Sequence, residues 1–269
     1  MATVEYICKA IDALWRTYTY FSDSHLWIEY YSPSGKQYFF VWSGSTLDHY
    51  GVNIISRDKG FSYTILHNIV PMARTKRYYD PDWSSEKKTS YEEIFADIEK
   101  KFSYPVMIKM NKWAQGTHIY KCKNIWEVEQ SVRAIFTDGM HYDYIFLAQE
   151  YISIAQEYRV LVYDNELQFV YLKDNSEADF TGNISPLHFE WATAILQKDP
   201  ALLDEIRAFV KKITARISLH YNWLDIIRDK NGNLMLIELN GNPWFSIFVR
   251  DNGDEEVVNM YKKIIKDLP

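Results

Sequence analysis

Between Asn222 and Trp244 the chain reads N-W-L-D-I-I-R-D-K-N-G-N-L-M-L-I-E-L-N-G-N-P-W, and no other stretch limits its fold as strongly. Two apolar runs, Trp223–Ile227 and Leu234–Leu239, flank Arg228-Asp229-Lys230-Asn231-Gly232-Asn233. Asn-Gly between such runs is a strong hairpin signal. Side chains alternate along a strand, so Glu238 and Asn240, two apart, point to the same face. Asp225, on the first strand, is expected to lie opposite them. Two carboxylates and an amide oxygen set in apolar strands make a hard oxygen cluster. Mg²⁺ takes such ligands, usually with a nucleotide phosphate completing its shell. The ordinary alternative is a hairpin whose polar side meets water.

Composition narrows the function classes. At 269 residues the chain can bury a large core and hold one or two domains. A net charge of −6 argues against an extended nucleic-acid footprint. The two cysteines, Cys8 and Cys122, form no spaced metal set and no disulfide framework, which points to a reducing compartment. No apolar run approaches a membrane span, and the start lacks the basic and apolar segments of a signal peptide. The expectation is a soluble cytoplasmic protein with neither nucleic-acid nor membrane partners.

Taken in order, residues 3–21 carry Val4, Ile7, Ile11, Leu14 and Tyr18 at helical spacing. Leu26–Tyr31 and Gln37–Trp42 are expected as strands around the turn cluster Ser32-Pro33-Ser34-Gly35-Lys36. A helix is expected from Arg57 to His67 with Ser56 as its cap. Residues 80–90 form a loop, and helices follow over 91–102 and 124–136. Strands are expected at Val106–Met110, His118–Cys122, Tyr144–Ile152, Glu157–Tyr163 and Leu167–Lys173. Residues 174–188 form a polar, unpatterned loop expected to be mobile. Leu202–Leu219 is an amphipathic helix, and another closes the chain near 254–267. Strands and helices intermix with several hairpins, so the class is α+β. Residues 1–52 form a helix-plus-hairpin preface, and residues 53–269 the main domain.

Other polar residues sit where apolar ones are expected. Lys109 lies in the strand Val106-Met107-Ile108-Lys109-Met110, where an unpaired lysine is costly to bury. It either reaches a surface or binds an anion. The following loop, Asn111 to Thr117, carries Gly116 and can bring backbone amides onto a phosphate, though it is not a Walker loop. Lys59 stands at a helix start, where the default is a solvated lysine. Gln149-Glu150-Tyr151-Ile152 ends one strand and Glu157-Tyr158-Arg159 begins the next. A strand end there can offer backbone groups to an adenine edge, and Glu157 can take ribose hydroxyls. Glu157 and Arg159 share a strand face, with Lys173 on the neighbouring strand; the plain alternative is a cross-strand salt bridge.

In this order these pieces resemble the ATP-grasp superfamily of carboxylate–amine ligases, from about Asn53 onward. Within it the chain is most similar to the ribosomal-protein glutamate ligase and cyanophycin synthetase type, through Glu157-Tyr158-Arg159 and Phe180-Thr181-Gly182-Asn183. The resemblance implies two α+β subdomains gripping ATP, with a truncated N-terminal preface. It implies Lys59 and Lys109 on the phosphates, under a loop containing Gly116. Glu150, Tyr151 and Ile152 become the adenine hinge, and Glu157 the ribose ligand. Asp225, Glu238 and Asn240 would hold two Mg²⁺ ions. Arg159, Lys173 and Asn183 would lie near the γ-phosphate and the acceptor carboxylate. The implied reaction joins a carboxylate to an amine through an acyl phosphate, on an amino acid or peptide. A nucleotide-binding regulatory module and an ATP-grasp kinase stand beside it as alternatives. The chain departs from the family in Met110 after the strand lysine and in its glycine-poor phosphate loop, and from D-alanyl-D-alanine ligase in having Trp223, rather than arginine, two residues before Asp225. Its short aromatic preface, with Trp15, Tyr18, Tyr20, Phe21, Trp27, Tyr30 and Tyr31, leads to the expectation of a pocket wall completed by a second copy of the chain or a macromolecular peptide substrate; the plain alternative is that these aromatics pack on the main domain.

Overall fold

The computed structural model of the chain describes residues 3–21, 26–41, 44–45, 47–83, 89–112, 118–139, 143–174 and 192–269. Helix α1 (Thr3–Asp12) buries Val4, Ile7 and Ile11 along one stripe. The helical spacing expected through residue 21 ends there. Trp15 takes a φ of 56°, the chain reverses, and Tyr18-Thr19-Tyr20 forms strand β1 (Tyr18–Tyr20) beside β2 (Trp27–Tyr31). Aromatic and β-branched residues suit a pleated surface better than a helix interior. Gly35, with φ at 82°, turns β2 into β3 (Gln37–Val41), and β4 (Gly44–Ser45) completes a four-stranded antiparallel sheet.

Two helices replace the single one expected over Arg57–His67: α2 (Tyr50–Arg57) and α3 (Lys59–Leu66). Asp58 separates them. Its backbone is extended, and its Oδ1 accepts the Phe61 backbone N–H at 2.8 Å, so Asp58 caps α3 and Ser56 lies inside α2. Then come β5 (Thr75–Tyr79), α4 (Tyr91–Lys101) behind a Ser90–Glu93 capping box, β6 (Val106–Met110), β7 (Ile119–Cys122), α5 (Ile125–Thr137) and β8 (Ile145–Glu150). These strands form a second antiparallel sheet in the order β5-β8-β6-β7. Val106, Ile108, Met110, Phe146 and Ala148 pack on α4 and α5. Alternation therefore turns Met107, Lys109, Leu147 and Gln149 to the opposite face.

The third sheet carries the rest: β9 (Ile154–Tyr163), β10 (Glu166–Asp174), β11 (Thr193–Leu196), β12 (Asn222–Asp229) and β13 (Leu234–Asn240), in the order β11-β10-β9-β12-β13. Helix α6 (Pro200–Thr214) is shorter than the 202–219 expected, and β11 and α7 (Ser246–Asn252) had no sequence signal assigned to them. Helix α8 (Glu255–Asp267) closes the chain. One face of this sheet, with Val160, Val162, Val170, Leu224, Ile226 and Leu236, packs on α6 and on Leu66 of α3. Along the other face, Leu161, Phe169, Tyr171, Tyr221 and Trp223 share a core with α1, α7, α8 and the first sheet. Tyr30 is buried in that core, whereas Trp15, Phe21 and Tyr31 stay exposed. Helix α3 touches both β5 and β13, and the Leu236 backbone N–H donates to Pro71 O at 2.9 Å. Residues 58–72 thus tie the second sheet to the third.

Candidate active site

The hairpin β12–β13 forms as the Asn-Gly signal requires. Gly232 has φ at 87°, and Asp229 accepts backbone N–H groups from Asn231 and Asn233. Asp225 pairs directly with Glu238, and Trp223 with Asn240. Register then slips: Ile226 pairs with Leu236, leaving Ile237 as a bulge. The bulge matters to the site. Strict alternation would put Leu234, Leu236, Glu238 and Asn240 on one face. With the bulge, Leu234 and Leu236 enter the core beside α6, while Glu238 and Asn240 turn to the opposite face with Asp225.

Across the sheet, Tyr171, Arg159, Asp225 and Glu238 lie in one row, each paired with the next. Arg159 holds Asp225 through two parallel bonds, Nε to Oδ1 at 2.8 Å and Nη2 to Oδ2 at 2.9 Å. Lys173 Nζ reaches Asp225 Oδ2 at 2.8 Å and Glu157 Oε1 at 2.5 Å. Lys173 and Asp225 are each only 4% exposed. Burial works against the charge on Asp225, but Arg159 and Lys173 outweigh it and hold this carboxyl well below the usual range. Burial opposes the Arg159 charge too, and Asp225 overcomes it, so the guanidinium pKa is raised.

Glu238 has a separate set of partners. Asn240 Nδ2 donates to Glu238 Oε1 at 2.9 Å, and Lys59 Nζ lies 3.6 Å from Oε2. Lys59 reaches it from the first residue of α3. Asn111, straight after β6, secures that turn: its Oδ1 accepts the Gly60 N–H at 2.9 Å, and its Nδ2 donates to Asp58 Oδ2 at 2.8 Å. Lys109 stands on the second sheet and donates to Gln149 Oε1 at 2.7 Å. Burial lowers its pKa, and Lys59 lowers it further, while Glu238 and Glu157 act in the opposite sense. The Asn111 bonds from the second sheet and the Lys59–Glu238 contact on the third bring both sheets to one site.

Glu150, at the end of β8, accepts the Arg74 backbone N–H at 2.8 Å with its side chain. Tyr151 stacks under the Lys121 ammonium, 3.9 Å from the ring centre, and Ile152 follows it in the crossing to the third sheet. Gly116 and Asn183 lie outside the described residues, as do most of the two loops expected to move. Sequence reasoning assigned no role to Gln149, Asn111 or Asp58. The Asp58 cap carried a signal, since Asp precedes a helix as readily as Ser; the other two depend on pairings across the sheets.

The donor set suits Mg²⁺. Asp225, Glu238 and Asn240 offer only oxygen ligands from adjacent strands, and Asn240 Oδ1 has no hydrogen-bond donor among the described residues.

Two α+β halves, each an antiparallel sheet backed by helices, meet over this charged row, and that arrangement is the ATP-grasp fold. The chain belongs to the RimK-like ATP-grasp domain family, whose description matches residues 83–268. Among solved structures it is similar to the VanG D-Ala:D-Ser ligase of Enterococcus faecalis, with a TM-score of 0.59, 14% identity, and coverage of 79% of this chain and 60% of that one. A RimK domain ATP-grasp protein from Sphaerobacter thermophilus gives a TM-score of 0.53 at 17% identity, covering 78% and 67%. Likeness at such identity shows the fold alone. A curated relative, the uncharacterized MG012 homolog of Mycoplasma pneumoniae, is 23% identical over 162 residues, which are 60% of this chain and 50% of the relative. The chain therefore spans about half the length of that relative. Among the described residues, no helix is long and apolar enough to cross a membrane.

Proposed function

We propose that the protein joins a carboxylate to an amine at the expense of ATP, with an amino acid or peptide as acceptor. One observation carries this reading: the oxygen donors of Asp225, Glu238 and Asn240 converge with four cations, Lys59, Lys109, Arg159 and Lys173. A site so charged suits a triphosphate and a carboxylate brought together against their mutual repulsion. An oxygen of the acceptor carboxylate attacks the γ-phosphorus and ADP leaves, giving an acyl phosphate. The amine nitrogen then attacks the acyl carbon, phosphate leaves, and the nitrogen loses a proton. Asp225, Glu238 and Asn240 would hold Mg²⁺, which neutralises phosphate charge during the first step.

In this reading Lys59 and Lys109 bind the phosphates. The backbone of Glu150, Tyr151 and Ile152 takes the adenine edge, and Glu157 the ribose. Arg159, Lys173 and Asn183 orient the acceptor carboxylate and γ-phosphate. Neither step uses a nucleophilic side chain. The exposed aromatics Trp15, Phe21 and Tyr31 favour a peptide acceptor or a second copy of the chain against this surface.

The test is an ADP-release screen against amino acids and peptides, with mass spectrometry of the products. The expected result is ADP release that depends on a carboxylate, and a product one water lighter than the two reactants together. A stable phosphorylated product would replace this reading with a kinase. Nucleotide binding without turnover on any acceptor would favour a regulatory module.

A further inference from the structure

Asp225 is asked to do two things at once. It neutralises Arg159 and Lys173, and in the reading above, on which this inference rests, it also ligates the metal. Once its oxygens turn to a metal, each cation needs another hold. Lys173 has one in Glu157, 2.5 Å away. Among the described residues, the guanidinium of Arg159 has no second carboxylate within ion-pair distance. It lies instead 4.5 Å from the centre of the Trp223 ring.

Trp223 stands two residues before Asp225 on the same face, one row further into the apolar half of the sheet. Its ring is fixed edge to face by Tyr171, at 6.0 Å and 84°, and by Phe245, at 5.2 Å and 72°. Only 3% of the residue is exposed, and its Nε1–H is buried without a hydrogen-bond partner. A phenylalanine would fill an apolar corner without that orphaned donor. What indole adds is the strongest aromatic face for a cation.

We infer that Trp223 is the positioning residue for Arg159: its ring holds the guanidinium at the acceptor side when Asp225 engages the metal. The cation is then freed toward an anion without leaving its place.

Side-chain Nε–H NMR of arginine, with the Arg159 signal assigned by its loss in Arg159→Lys, reads this directly. Exchange of that proton with water is measured in the wild type, Trp223→Leu and Trp223→Phe, free and with Mg·ADP. It is measured again in an Asp225→Asn background, which withdraws the carboxylate without any ligand. Trp223→Leu should speed Arg159 Nε–H exchange about 5- to 30-fold once Asp225 is withdrawn, by either route, and much less when Asp225 is intact. Trp223→Phe should restore most of the protection, since a ring face returns. Other arginine Nε–H signals should not move, which separates the effect from general loosening. Equal exchange in Trp223→Leu and wild type with Asp225 withdrawn would overturn the inference, as would a uniform rise at every arginine. Failure of Mg·ADP to bind would count against the proposed function alone, because the Asp225→Asn arm still decides the role of Trp223.

Discussion

One face of the five-stranded sheet holds two regions that share strands and differ in everything else. Toward one end lie Leu161, Phe169, Tyr221 and Trp223, covered by α1, α7 and α8. Toward the other lie Glu157, Arg159, Lys173 and Asp225, joined by ion pairs, with Glu238 beside Asp225 and paired to Lys59. Burial alone does not distinguish them, since Asp225 and Lys173 are about as hidden as Trp223. The apolar half gains free energy from leaving water. The charged half is held against a desolvation cost by pairing, and removal of any partner strands the others. The first half is built for permanence, and the second is built to exchange partners.

The largest expected effects test that contrast directly. Phe248→Ala, deep in the apolar half, should cost about 3–5 kcal/mol of stability from lost burial and cavity. Asp225→Ala should cost a similar ~3–5 kcal/mol by leaving Arg159 without its carboxylate and Lys173 with Glu157 alone. Denaturant unfolding measures both. Rising phosphate or sulfate should recover stability in Asp225→Ala beyond its general effect on Phe248→Ala. Equal salt response in the two variants would erase the distinction.

Next in size, Glu238→Ala should reduce ATP consumption by about 10²-fold or more, with the melting temperature close to wild type. Glu238 is itself less buried than Asp225, with 19% of its side chain exposed against 5%. Wild-type ADP release in this variant would remove the hairpin from the mechanism.

Lys109→Ala should weaken binding of a non-hydrolysable ATP analogue by about 10- to 100-fold, the value of a charge-assisted contact. Lys59→Ala should weaken it less, because Lys59 is only at the rim of α3. Titration calorimetry ranks the two, and an unchanged Kd in Lys109→Ala would refute its phosphate role.

The smallest effect is a proton. Burial, with Lys59 beside it, holds the Lys109 pKa below its ordinary value of about 10.4. Between the lowered folded value and about 10.4, the folded state has released a proton that the unfolded chain keeps, so this group adds stability as pH rises. Phosphate should pull the proton back, so nucleotide binding in that window should take up a fraction of a proton. Calorimetry in two buffers of different ionisation enthalpy detects it, and Lys109→Gln should abolish it.

Much of the site could be read locally. The Asn231-Gly232 turn, the apolar runs around it and the helix over 91–102 all follow from backbone preferences within a few residues. So did the choice of Lys109 as a residue out of place, because a charge inside Val-Met-Ile-x-Met needs a reason. The helix expected through residue 21 failed where Tyr18-Thr19-Tyr20 found a partner in β2. Helical spacing is a weak guide when a competing strand is available. The single helix over Arg57–His67 failed for a different reason: Asp58 could cap, and Asn111, far along the chain, gave its carboxylate a second bond.

The sequence by itself determined the strands that carry the site, the hairpin and the order in which charged residues enter the chain. It also determined that Glu238 and Asn240 share a face, because alternation is a property of the extended backbone. Only the tertiary structure decided which face that is. Leu234, Leu236, Glu238 and Asn240 have the same parity, so a regular strand would place core leucines and site carboxylate together; the bulge at Ile237 separates them. That bulge exists because α6 buries Leu236 while Asp225 stands opposite Glu238, a competition that no local preference resolves. The same holds for Arg159 and Asp225, which lie 66 residues apart in the chain and meet only through the register of β9 and β12.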